Sequence, residues 1–129
     1  MFIQNLDKKQ QSALLYLAKE IINADNKFHN NEASIYTLLE SQVHTSVAPE
    51  SIKTDKLNVL FESNISKISL LLELIAVAHA DGDYHNDENA LIRKYAKALN
   101  ISEEKLLMLE HWVSKQLSLS IEAQELLNQ

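Results

Sequence analysis

Residues 67–88 read KISLLLELIAVAHADGDYHNDE. The first fourteen are apolar on nearly every side, interrupted mainly by Ser69 and Glu73. A helix without a polar face belongs in the middle of a bundle, where neighbours cover it all round. An acidic turn follows at 80–88, ADGDYHNDE, and the chain has already used that turn once, as ADNKFHNNE at 24–32. Five of the nine positions are identical, and the fifth is aromatic in both copies.

The repeat extends beyond the turn. At an offset of 56 residues Leu14 and Leu15 match Leu70 and Leu71, and Ile21 matches Val77. Farther on, DKLNVL at 55–60 resembles EKLLML at 104–109 at an offset of 49, so the first copy carries a connection seven residues longer. This pattern predicts one all-α domain over residues 1–129, a bundle of about seven helices. Two halves, about 7–63 and 64–117, would each run helix, acidic loop, helix, helix, and would pack about a pseudo-twofold axis. Neither half could bury its apolar face alone.

Composition supports this class. A chain of 129 residues with one Gly and one Pro lacks the turn residues of a many-stranded β fold. The net charge of −6, with no run of Lys or Arg, argues against a nucleic-acid or anionic-lipid surface. The absence of cysteine excludes disulfides, thiolate metal sites and Cys nucleophiles. The first residues, MFIQNLDKKQQ, show no basic-then-apolar leader, and no apolar run reaches the ~20 residues of a spanning helix. The expectation is a cytoplasmic protein without direct membrane insertion.

Local signals set the helix ends. Asp7 with Gln10 reads as a capping box for a first helix that stops near Ala24, its apolar face formed by Leu14, Leu17, Ala18 and Ile21. A second helix is expected from about Asn30 to Gln42, and the stretch around Pro49 is irregular. TDKLNVLFES reads as a short helix, and Asn64 or Ser66 as the cap of the apolar one. Asn100 is expected in a left-handed C-cap and Ser102 to open a helix through about Leu117. Ser120 would begin a short terminal helix, with Leu126 and Leu127 docked.

The candidate site lies in the paired turns. Glu32 precedes Ile35, Tyr36 and Leu39 at spacings that place all four on one helix face, and Glu88 stands in the same relation to Leu91, Ile92 and Tyr95. An inward carboxylate requires hydrogen-bond donors or a cation. Capping supplies one account: His29 and His85, or Asn30 and Asn86, at the N-cap, with Glu in the first turn. Asp25 and Asp81 follow helix C-termini, where negative charge is mildly unfavourable, although Asp commonly bonds amides across its own turn. A cation site is the other account. Asp and Glu seven residues apart match the second half of a calcium loop, but the preceding positions would be Val77 and His79, or Ile21 and Asn23, which excludes an ordinary EF-hand. A site shared by Asp25, Glu32, Asp81 and Glu88 remains, with His29, His85 or His79 adding nitrogen and Asp83 or Asp87 adding oxygen. Oxygen donors suit Ca, Mg or Mn, and imidazole tilts the choice toward Mn or Zn. Trp112 is a candidate partner contact. A metal-dependent hydrolase would need an open pocket and a substrate-holding feature that the sequence does not display.

The stretch AHADGDYHNDENALIRKYAKALNISEEKL at 78–106 closely resembles the signature of the TerB-like family associated with tellurite resistance. That signature is an apolar helix, A-D-G, an apolar residue, a polar cap, a Glu on the next helix and an entry of the L-x-I-S type. INADNKFHNNEASIYTLL at 22–39 resembles its weaker first copy, and the resemblance covers about residues 10–115. It implies a bacterial, cytoplasmic, non-enzymatic stress-response protein with a paired Asp/Glu cluster able to take a divalent cation. Related domains in membrane-anchored DnaJ-like co-chaperones imply the alternative, a metal-free protein-interaction module with protein partners, some of them membrane-associated. Asp25, Glu32, Asp81 and Glu88 fall on the family's acidic positions and Gly82 on its turn. The chain departs from the pattern at Asn26, where the first copy lacks Gly, and at His29 and His85, where Ser, Asp or Thr is more usual.

Overall fold

The computed structural model describes residues 2–24, 30–79 and 86–129, the side chains of 30–33 excepted. Six α-helices are present among the described residues: α1 (Lys8–Ile22), α2 (Asn30–Gln42), α3 (Leu57–Leu60), α4 (Asn64–Ala78), α5 (Asn86–Ala98) and α6 (Glu103–Leu127). Two single 3₁₀ turns, Ile3–Asn5 and Thr54–Lys56, complete the regular structure. The described residues contain no strand, and none of their helices is long and apolar enough to cross a membrane.

Helix α4 is the centre. It packs against α1, α5, α6, α2 and the N-terminal 3₁₀ turn. Leu70, Leu71, Leu74 and Ile75 are fully buried along it. Each fully buried Leu or Ile contributes about 1.5–3 kcal/mol to the core. Its two polar interruptions are buried as well and are answered from the chain's beginning. The Phe2 amide donates to Glu73 Oε1 at 2.7 Å, and Asn5 Nδ2 donates to Ser69 Oγ at 3.0 Å.

The helix ends follow the local chemistry in most places. Asp7 and Gln10 form the reciprocal capping box of α1. Asn100 holds φ at +59°, and the bonds from the Asn100 amide to the Lys97 carbonyl and from the Ile101 amide to the Ala96 carbonyl close α5 as a Schellman motif. Ser102 caps α6 through the Lys105 amide at 3.1 Å. The two helix pairs recur at the 56-residue offset: Lys8–Ile22 against Asn64–Ala78, and Asn30–Gln42 against Asn86–Ala98.

Three expectations are corrected. The N-cap of α4 is Ser63, whose hydroxyl accepts from the Ser66 amide, rather than Asn64 or Ser66. Asn64 is already the first helical residue, and Ser66 turns its own hydroxyl back to the Ser63 carbonyl at 2.8 Å. Ser120 opens no helix: α6 runs through it unbroken, and its hydroxyl bonds the Gln116 carbonyl one turn back. This merger separates the six observed helices from the expected seven. Leu126 and Leu127 are not docked but stand in solvent, because α6 outruns the helices that could cover them.

The cap correction is testable by urea denaturation. Ser63→Ala should lower the unfolding free energy by about 1 kcal/mol. Asn64→Ala should leave it within ~0.5 kcal/mol of the parent.

Candidate functional site

The acidic turns leave the C-termini of α1 and α4 and re-enter at the N-termini of α2 and α5. Helix α1 closes on Asn23, whose amide donates to the Lys19 carbonyl at 3.0 Å. Helix α4 closes in the same way on His79, whose amide donates to the Ile75 carbonyl at 3.0 Å.

Asp25, His29, Asp81 and His85 lie outside the described residues, as do Asp83 and the side chain of Glu32, whose backbone opens α2. Glu88 is described, and it sits in the first turn of α5 with 2% of its surface exposed. That depth matches its expected place on the core-facing line with Ile92 and Tyr95, both buried. Asp87 beside it is exposed, and His79 is half-buried at the end of α4. Among the described residues no group of three His, Asp or Glu could hold a metal.

The described flanks of the two turns come together through the packing of α1 on α5. Glu20, Asn23 and Ala24 from the end of α1 line one concavity of about 390 Å³ with Asp87, Ala90, Leu91 and Lys94 of α5. Ala24 immediately precedes Asp25, and Asp87 immediately precedes Glu88. The exit of the first turn's supporting helix therefore faces the entry of the second turn's outgoing helix.

Sequence reasoning missed Glu20 and its two tyrosines. Hydrogen bonding to Glu20, reinforced by its charge, pushes the Tyr16 hydroxyl above the usual phenol range. Tyr95, buried on α5, is pushed far up by burial first, then by the charges of Glu20 and Tyr16. Tyr16 and Glu20 are one helical turn apart, a signal that was available; that Tyr95 joins them from 75 residues away was not. Nearby on α1, the Lys19 ammonium lies 5.3 Å from the Tyr36 ring centroid, tying α1 to α2. Burial, then the charge of Glu40, also raises Tyr36.

A second feature is an apolar groove of about 260 Å³ between α2, α4 and α6, lined by Leu38, Leu72, Ala76, Trp112 and Leu117 among others. Phe2 stands at its edge, its ring meeting Trp112 edge-on at 5.7 Å. On the opposite side of α5, Arg93 grips Glu110 through both terminal nitrogens at 3.0 and 3.3 Å, and its Nε donates to Glu103 at 3.1 Å. The two carboxylates push the guanidinium still higher, so Arg93, which ties α5 to α6, stays protonated at any ordinary pH.

A model of the family described as tellurite resistance protein TerB matches residues 42–111, just over half of the chain. The match takes in α3, α4, the second acidic turn, α5 and the start of α6, and so includes Asp81, Gly82 and Glu88. No curated protein and no solved structure matches the chain.

The raised tyrosines set an alkaline limit. A phenol whose folded pKa exceeds its unfolded value of 10.0 adds stability that is fully present below pH ~10 and is lost as pH rises through the folded value. The melting temperature should fall steeply above pH ~10, and Tyr95→Phe should flatten that fall. Ultraviolet titration of phenolate should show at least one tyrosine ionising only as the protein unfolds.

Proposed function

Because the chain belongs to the TerB family, we propose that it is a non-enzymatic tellurite-resistance or stress-response protein whose paired acidic turns take a divalent cation. The observation that carries this reading is Glu88, a carboxylate held in the core-facing first turn of α5. The concavity joining Ala24 to Asp87 supports a shared site, since it brings the flanks of the two turns to one place.

The donor set fits a hard or borderline cation. Asp25, Glu32, Asp81 and Glu88 would hold it through oxygen, with His29 and His85 adding nitrogen. Bound there, a divalent cation would supply the positive charge that lets several acids share one neighbourhood. Glu88 keeps its carboxylate on the inner side of α5, while exposed Asp87 and Glu20 add negative field at the rim. Lys94 opposes that field from the same concavity. Locking the two turns together would fix α1 against α5 and set the shape of the surface shown to a protein partner.

The apolar groove favours a second reading, a metal-free interaction module of the kind found in DnaJ-like co-chaperones. The two readings separate by titration calorimetry on chelator-stripped protein with Ca, Mg, Mn and Zn. The cation reading expects heat and a raised melting temperature from at least one ion, both lost in Glu88→Gln. Silence from all four ions at millimolar concentration overturns it. The metal-free reading expects Glu88→Gln to cost about 0.5–2 kcal/mol of stability through lost capping, with the same thermal response to every ion as the parent.

A further inference from the structure

Helix α6 is 25 residues long, and the bundle covers only its first part. Leu106, Leu109 and Val113 are buried, but every residue from Ser118 to Gln129 is exposed. The overhang is about ten residues long and is not covered by any other described element. Along its whole length α6 carries outward apolar side chains in a defined order. Trp112, Leu119 and Leu126 recur every seven residues, with Met108 one turn before the first. They form a stripe beside, not on, the core-facing line, and Leu119 and Leu126 are 63% and 68% exposed. A seven-residue apolar repeat is the pattern of a helix that pairs with another helix.

The charges indicate which helix. Lys115 and Glu122 are also seven residues apart and flank the same side of the stripe. When two helices run in opposite directions, a flank position on one meets the same flank position on the other. A second α6 laid antiparallel with Leu119 against its own copy brings Lys115 within one residue of the level of Glu122, and Glu122 likewise of Lys115, which is within reach of both side chains. The same register places Trp112 against Leu126 at both ends, over ~21 Å of helix. A parallel pair would turn this flank toward the opposite flank of its partner, where Ser120 and Leu127 stand, and would leave Lys115 and Glu122 without these bridges. The surface is thus complementary to itself under a twofold rotation, as a symmetric dimer interface must be.

We propose that the exposed stripe of α6 is a homodimer interface, in which two copies of this chain pair antiparallel through Trp112, Leu119 and Leu126 with reciprocal Lys115–Glu122 bridges. The end of the second copy's helix then lies against Trp112 where that ring leans on Phe2, at the rim of the apolar groove. The interface stands apart from the acidic turns and does not depend on a cation.

Sedimentation of the full chain from micromolar to millimolar concentration tests it, with circular dichroism confirming that each variant keeps its helix content. The parent should be a monomer–dimer equilibrium, and Leu119→Glu, at an exposed position on the axis, should be monomeric throughout. Lys115→Glu and Glu122→Lys should each weaken the dimer roughly tenfold, through two lost bridges and two like-charge contacts. The double reversal should restore it. A parent that stays monomeric at every concentration overturns the proposal, as does a Leu119→Glu dimer of parental strength. A double reversal no tighter than the single ones overturns the antiparallel register.

Discussion

The fold depends on covering α4 completely. A helix carrying Leu70, Leu71, Leu74, Ile75 and Val77 over several faces cannot leave any one of them to water, so α1, α2, α5, α6 and the N-terminal 3₁₀ turn take their positions as its cover. The same demand explains residues 2–5. Glu73 and Ser69 are carried into the interior with the rest of α4, and a buried polar group without a partner is costly. The Phe2 amide and the Asn5 side chain reach them across 71 and 64 residues of chain, and Phe2 then finds the Trp112 ring. The N-terminal segment is held by the polar exceptions on the most apolar helix.

Charge does a different job on the two sides of α5. Toward α6, Arg93 forms a two-pronged pair with Glu110 and meets Glu103 through Nε and one terminal nitrogen, tying α5 to the first half of α6. Toward α1, the charges gather around the ends of the acidic turns: Glu20 and Asp87 face one concavity with Lys94, while Glu88 is turned inward. Repetition of α1 and α2 as α4 and α5 at one offset gives each acidic turn the same pair of supports.

Much of this was legible in the residues. The capping box at Asp7, the left-handed Asn100, the cap at Ser102, the apolar stripes of α1 and α5 and the buried setting of Glu88 all follow from patterns spanning four residues or fewer, or from helical periodicity. Errors arose where a local signal had a near-equal rival. Asn64, Ser66 and Ser63 are all plausible caps within four positions, and only the backbone geometry selects Ser63. Ser120 resembles a cap by type, yet nothing before it breaks the helix, and its hydroxyl is satisfied by the Gln116 carbonyl. Leu126 and Leu127 were expected to dock because apolar residues usually do; whether they dock depends on where the neighbouring helices stop.

What the amino-acid order determined by itself is the all-α class, the position of most helices and the inward side of each, since hydrogen bonds within a helix and the 3.6-residue period are local properties. What only tertiary structure decided is which distant groups meet. Tyr95 joins Tyr16 and Glu20, Glu73 takes the Phe2 amide, and the second half of α6 passes beyond all cover. The physical reason is that burial belongs to the packed assembly: a side chain's neighbours, and with them its pKa, its partner and its exposure, exist only once helices far apart in sequence have come to rest against one another.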